Sequence, residues 1–235
     1  LGIFSPEMYN DYEFFYLAWV PNLLEGSYPY SVDVWNYIYP PLWIYTVSIF
    51  GSVPSWLPGV ILFSFNMASG PVVYKLVERV SDQKRALYAM AVYLFNPFTL
   101  VYGSFLWLNP TPYVFFTILA FYLAYIDRTH ESVATLALAT LYKQFAVVFF
   151  PILAFFLIKS KEMSIKKGLI AFITYTIIYA GIIGLVSLPF LLTDMNGYLQ
   201  SVITGNMGGF EGLRTFIPEN WMPIHLGTFW LWIGA

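Results

Sequence analysis

Apolar residues run in long windows separated by short polar or basic turns. Windows over residues 40–53, 56–77, 86–106, 111–127, 132–158 and 165–192 hold little charge, and their period is helical. A helix needs about 20 apolar residues to span a bilayer core. The windows therefore predict an all-α, polytopic membrane helix bundle. The alternating segments of about ten residues that build a transmembrane β-barrel are not seen. Ahead of the windows, residues 1–39 form an acidic and aromatic outer loop. Asn10 or Asp11 can cap a helix there, and Phe14, Leu17 and Ala18 share its apolar face, as in a helix lying in the interface. Helices fill 40–192, a second outer loop covers 193–226, and a further apolar run begins over 227–235. With Leu1 at one end and that short run at the other, the chain reads as part of a longer polytopic protein.

Composition supports the membrane assignment. Charged residues make up 10% and hydrophobic residues 59% of the chain, against about 25% charged in a soluble domain. Aromatics reach 21%, as interfacial belts require. No basic run suits nucleic acid, and cysteine is absent, which removes disulfide and thiolate chemistry. The basic residues are segregated: Lys75, Arg79, Lys84 and Arg85 between two windows, Arg128 after another, and Lys159, Lys161, Lys166 and Lys167 in a third group. The positive-inside rule makes these turns cytoplasmic. Segments 1–39, 103–112 and 193–226 then face the other side, with Glu7, Asp11, Glu13, Glu25 and Asp33.

That topology has a consequence for residues 132–158. Arg128 and Lys159 belong on one side, yet a single apolar stretch separates them. Two short helices that dip into the membrane and return satisfy both, with the apex near Tyr142, Lys143 and Gln144. Non-helical backbone at depth is tolerated only where protein buries it or it lines a cavity. Lys143 interrupts an otherwise uncharged run, and a lysine at a helix centre costs about 2.5–3.5 kcal/mol. Its partner is the phosphate of a bound lipid or an outer-loop carboxylate; otherwise its ammonium snorkels to the surface.

The outer loops hold the remaining candidates. Asp11 and Glu13 stand at a lipid–water boundary in a segment with no Lys or Arg before Lys75. Two residues apart, they point in different directions on a helix. In the 193–226 loop, Arg214 suits bidentate phosphate recognition, or pairs with Glu211 or Glu219. His225 has no second His or Cys at metal spacing, so no zinc site is predicted, although outer carboxylates could hold a divalent ion. No phosphate-binding glycine loop ending in Lys-Ser or Lys-Thr is present.

Four places carry a family resemblance. These are Met8-Tyr9-Asn10-Asp11-Tyr12-Glu13, Tyr39-Pro40-Pro41-Leu42, Asn96-Pro97, and Tyr142-Lys143-Gln144 followed by Pro151. In order and spacing they resemble motifs of the GT-C-fold glycosyltransferases that use polyprenyl-phosphate sugars, most of all the glucosyltransferases that extend the dolichol-linked oligosaccharide. The resemblance implies inverting transfer of a hexose from a polyprenyl-phosphate donor to a lipid-linked glycan or protein acceptor, on the lumenal or extracytoplasmic face, among membrane lipids. It implies Asp11 as general base, with Glu13 orienting the acceptor. Lys143 and Arg214 would stabilise the leaving phosphate, with Gln144 and Glu211 in the same motifs. Tyr39 and Trp107 would stack on sugar or sit in the aromatic belt. The sequence departs from the family in residues 103–109, which lack its His and Asp, and in Gly208-Gly209-Phe210-Glu211, which matches only the tail of its last motif. Two alternatives stand beside this reading. One is a transporter or flippase of lipid or small solute. The other is a subunit that kept the fold and lost the chemistry.

Overall fold

The structure, a computed structural model, describes residues 20–21, 25–30, 37, 39–101 and 110–204. These residues build helices α1 (Pro41–Phe50), α2 (Leu57–Val80), α3 (Gln83–Leu94), α4 (Pro110–Tyr125), α5 (Thr129–Tyr142), α6 (Phe149–Ser160) and α7 (Ile165–Leu199). A helical turn at Pro97–Thr99, a 3-10 segment at Gln144–Val148 and a π-helical turn at Gln200–Thr204 complete them. No strand occurs among the described residues, and the chain is an all-α membrane bundle. The helices α2 and α7 are long and apolar enough to cross a membrane.

Proline sets the breaks. The 86–106 window predicts one helix, but α3 stops at Leu94. Pro97 has no N–H, and its ring would clash with the Tyr93 carbonyl one turn back. Asn96 then starts a new turn by accepting the Phe98 N–H on Oδ1 at 2.9 Å. Pro151 acts alike. It lies in the first turn of α6, where a missing N–H costs nothing, but it forbids an α-helix running through Val147. Helix α5 has already ended at Tyr142, Lys143 is extended (φ −153°, ψ 120°), and 3-10 backbone carries the chain to α6. The last apolar window also runs further than 192. Helix α7 continues to Leu199, with one non-helical residue, Asp194 (φ −154°, ψ 92°).

Helix α5 is the centre of the bundle. Val133, Leu136, Ala137, Ala139, Leu141 and Tyr142 are buried, and so are Ser132, Thr135 and Thr140. Its polar side chains are locally satisfied. Ser132 Oγ donates to the Ala120 carbonyl of α4 at 2.7 Å, and Thr140 Oγ1 lies 2.5 Å from the Tyr179 hydroxyl of α7. Leu153, Ala154 and Leu157 of α6 join the same cluster. The Lys161 ammonium donates to Thr129 Oγ1 at 2.7 Å, which returns the end of α6 to the level where α5 began. At about 1.5 Å per residue, the 14 residues of α5 descend roughly 21 Å, short of a full crossing. Helix α1 has ten residues and is shorter still.

The buried residues of α2 form one stripe: Pro58, Gly59, Leu62, Asn66, Ser69 and Gly70. Small residues let α3 approach closely; a Cβ on Gly70 would come within 2.9 Å of the Leu94 side chain. Asn66 breaks the logic of the stripe. It is fully buried, and neither amide atom has a hydrogen-bond partner. An unsatisfied buried polar group costs about 1–3 kcal/mol, whereas an apolar group of the same shape does not. Asn66→Leu is therefore expected to raise the thermal unfolding temperature in detergent, while Asn66→Asp lowers it.

Candidate functional site

The break between α5 and α6 places a charged and an amide side chain together inside an aromatic shell. Tyr142, the last residue of α5, is buried. Its ring stacks on Phe116 (5.6 Å between centroids, 12° between planes) and meets Trp43 and Phe65 edge-on, each at 6.4 Å. Its hydroxyl lies 3.4 Å from Thr46 Oγ1 of α1. These contacts hold the helix end on three neighbouring helices and fix where the next residue emerges.

That residue is Lys143, which is half-buried. Its ammonium lies 5.9 Å from the Tyr113 ring centroid and 5.8 Å from that of Phe145, within cation–π range. The backbone around it is held at both ends: its N–H donates to the Ala139 carbonyl at 3.0 Å, and its carbonyl accepts from Ala146 N–H at 3.1 Å. Gln144, also half-buried, donates from Nε2 to the Val202 carbonyl at 3.1 Å. The break is thereby tied to the π-helical turn just after α7, where the chain expected to start an outer loop at 193 is instead helical as far as Thr204.

A second set of tyrosines closes the same region. Tyr30 is fully buried among Tyr28, Tyr37, Phe190 and Tyr198, and its hydroxyl donates to the Tyr39 carbonyl at 2.9 Å. Tyr39 packs its ring against Tyr37 at 5.6 Å. The Tyr28 hydroxyl lies 2.9 Å from the carbonyls of both Phe190 and Asp194, just before and at the kink in α7. Burial, then the nearby Asp194 carboxylate and Tyr198, push the Tyr28 hydroxyl up to about 12. A raised tyrosine value means the neutral hydroxyl is favoured in the folded state. Its contribution is complete below pH 10 and is lost as pH rises from 10 towards 12. Tyr28→Phe is expected to lower stability by about 1 kcal/mol, read as a shift in thermal unfolding at neutral pH that shrinks as pH rises above 10.

Of the residues singled out in the sequence, the structure brings Lys143, Gln144 and Tyr39 into this region. Tyr39 contributes its carbonyl and ring to packing. Asp11, Glu13, Glu211 and Arg214 lie outside the described residues, as do Trp107 and His225. Among the described residues no group of His, Cys, Asp and Glu side chains is arranged to hold a metal. Sequence reasoning missed Tyr113, Thr46, Tyr28 and Asp194. Asp194 had a signal, since it is the acid that ends the last apolar window. Tyr113 had none, being one aromatic in an apolar helix.

A helical membrane protein with a half-buried lysine at a helix break fits several classes, and comparison with known proteins selects one. Residues 20–230 match the family described as GPI transamidase subunit PIG-U, and the chain belongs to that family. No curated protein and no solved structure matches the chain. The family is a membrane family with a distant relation to the GT-C-like fold. The match corrects the expected activity. A GPI transamidase processes proteins, and its PIG-U subunit does not move a hexose from a polyprenyl phosphate, so the glycosyltransferase reading is withdrawn.

Proposed function

We propose that this chain is a non-catalytic, multi-pass subunit of a GPI transamidase complex, and that the Lys143 break receives the anionic part of the glycolipid substrate. The observation that carries the second half is the position of Lys143. It stands at a helix break between two aromatic rings, within the region that matches the family. A glycosylphosphatidylinositol carries phosphate on an apolar anchor. A lysine held at the edge of an apolar bundle offers a charge to the first, and the exposed apolar surface of the bundle accommodates the second. Gln144 serves as a positioning residue, holding the break against Val202. Asp11, Glu13, Arg214 and Glu211 are assigned to substrate or partner binding, with no role in bond making. The protein acceptor and surrounding lipids are the further partners.

The subunit role is tested by expressing the tagged full-length protein in cells that lack it. Recovery of the other transamidase subunits with the tag, and return of a GPI-anchored reporter to the cell surface, is the expected result. A tag that recovers none of them under mild detergent would overturn it.

A further inference from the structure

The end of the bundle opposite the Lys143 break carries nearly all of the basic charge. Nine of the eleven Lys and Arg residues lie in the turns around 75–85, 128 and 159–167. These turns share one end: Lys161 donates to Thr129 Oγ1, and Lys75 interacts electrostatically with Tyr122 near the end of α4. The charges are met differently. Lys75 pairs with Glu78 at 3.0 Å, Arg85 with Asp82 at 3.4 Å, and Arg128 with Glu131 at 3.2 Å. No ion pair among the described residues engages Lys159, Lys166 or Lys167, and all three are exposed.

These lysines lie on the two helix ends that meet at the α6–α7 turn, beside exposed apolar residues. Lys159 lies in the last turn of α6, and Lys166 and Lys167 lie in the first turn of α7. The helix ends are closely packed there, since a Cβ on Gly168 would lie 3.0 Å from Ile158. Below them, Phe155, Leu169 and Ile170 are 66%, 60% and 57% exposed, and Ile165 beside Lys166 is 93% exposed. The Lys159 ammonium sits 5.9 Å from the Phe155 ring centroid, so its stem follows the apolar surface while its charge stays at the rim.

We propose that the α6–α7 turn is a binding site for an anionic glycerophospholipid. Lys159, Lys166 and Lys167 hold the headgroup phosphate, and the exposed apolar face beneath takes the acyl chains. Both parts are needed: a soluble anion would use the ammonium groups and leave Phe155, Leu169 and Ile170 without a partner. A neutral lipid would leave three clustered cations unmatched. The inference rests on the chain being embedded in a membrane, and it is independent of the role given to Lys143.

The test uses delipidated full-length protein titrated in detergent with phosphatidylserine or phosphatidylcholine, with bound lipid counted by native mass spectrometry. The wild type is expected to retain phosphatidylserine in preference. Each basic residue at a membrane surface is worth a factor of about five, so the triple variant Lys159→Gln, Lys166→Gln, Lys167→Gln is expected to lose about a hundredfold at low salt. A Lys84→Gln, Arg85→Gln variant at the same end is expected to keep the preference. A triple variant that folds, with an unchanged unfolding temperature in phosphatidylcholine, and still prefers phosphatidylserine would overturn the site. So would a loss in the Lys84 and Arg85 variant as large as in the triple variant, or full displacement of the lipid by equimolar inorganic phosphate.

Discussion

Lys143→Met is expected to leave the complex assembled and to remove most of its ability to attach GPI. Met has nearly the length and volume of the lysine stem, so the contacts with Tyr113 and Phe145 keep their shape. What is lost is the charge, with its cation–π contacts and the ammonium's capacity to donate hydrogen bonds. A hydrogen bond to a charged group is worth about 1.5–3 kcal/mol, which corresponds to a loss of roughly 10- to 150-fold in retention of an anionic ligand. Stability should move the other way or not at all, because a lysine at membrane depth costs about 2.5–3.5 kcal/mol to insert. Unchanged assembly, an equal or higher unfolding temperature and a strongly reduced surface level of an anchored reporter form the expected set. Lys143→Arg keeps the charge on a planar, bulkier group and is expected to retain part of the activity. A purely structural role would instead lower stability and assembly together.

Gly197→Ala should give the largest stability loss of any conservative change near the site. Alanine is the better helix former by about 1 kcal/mol, so propensity alone favours the substitution. Geometry decides against it. A Cβ at position 197 would run into the Asp194 carboxylate and would lie 2.8 Å from the Tyr30 backbone carbonyl. The carboxylate cannot swing away freely, since Asp194 Oδ1 accepts the Gly197 N–H at 3.0 Å and so caps the turn after the kink. The Tyr30 backbone is held by its own buried ring. Overpacking of this kind costs about 1–3 kcal/mol, and it would push residues 25–30 away from α7. Gly181→Ala supplies the contrast. Nothing lies within 4 Å of a Cβ there, so propensity acts unopposed and the unfolding temperature should hold or rise. Thermal unfolding of both variants in one detergent checks the pair.

Much of the fold was legible in the chain because membrane constraints are local. Apolar windows marked the helices, and charge segregation marked the basic turns that the Lys161–Thr129 bond brings together. Lys143 stood out as a charge in an uncharged run. What escaped notice depended on distant partners. The end of α3 at Leu94 turns on Pro97, whose reading as part of a continuous span ignored the clash one turn back. The Gln144–Val202 bond joins residues 58 apart, and the Tyr28–Asp194 contact joins residues 166 apart. Neither separation leaves a periodic trace. The activity was misread for a different reason. The expected activity rested on short motifs such as Tyr39-Pro40-Pro41-Leu42, and the family match runs against it. Fold resemblance does not carry chemistry with it.

The central claim is that the Lys143 break holds the anionic part of the glycolipid, and its most direct test is the amount of that lipid retained by the purified complex. Full-length wild-type and Lys143→Met proteins would be recovered with their partner subunits under identical mild detergent, and the copurifying glycosylphosphatidylinositol quantified per complex. The expected result is retention by the wild type and at least a tenfold loss in the variant, at equal subunit stoichiometry. Equal lipid in both preparations would contradict the assignment of Lys143.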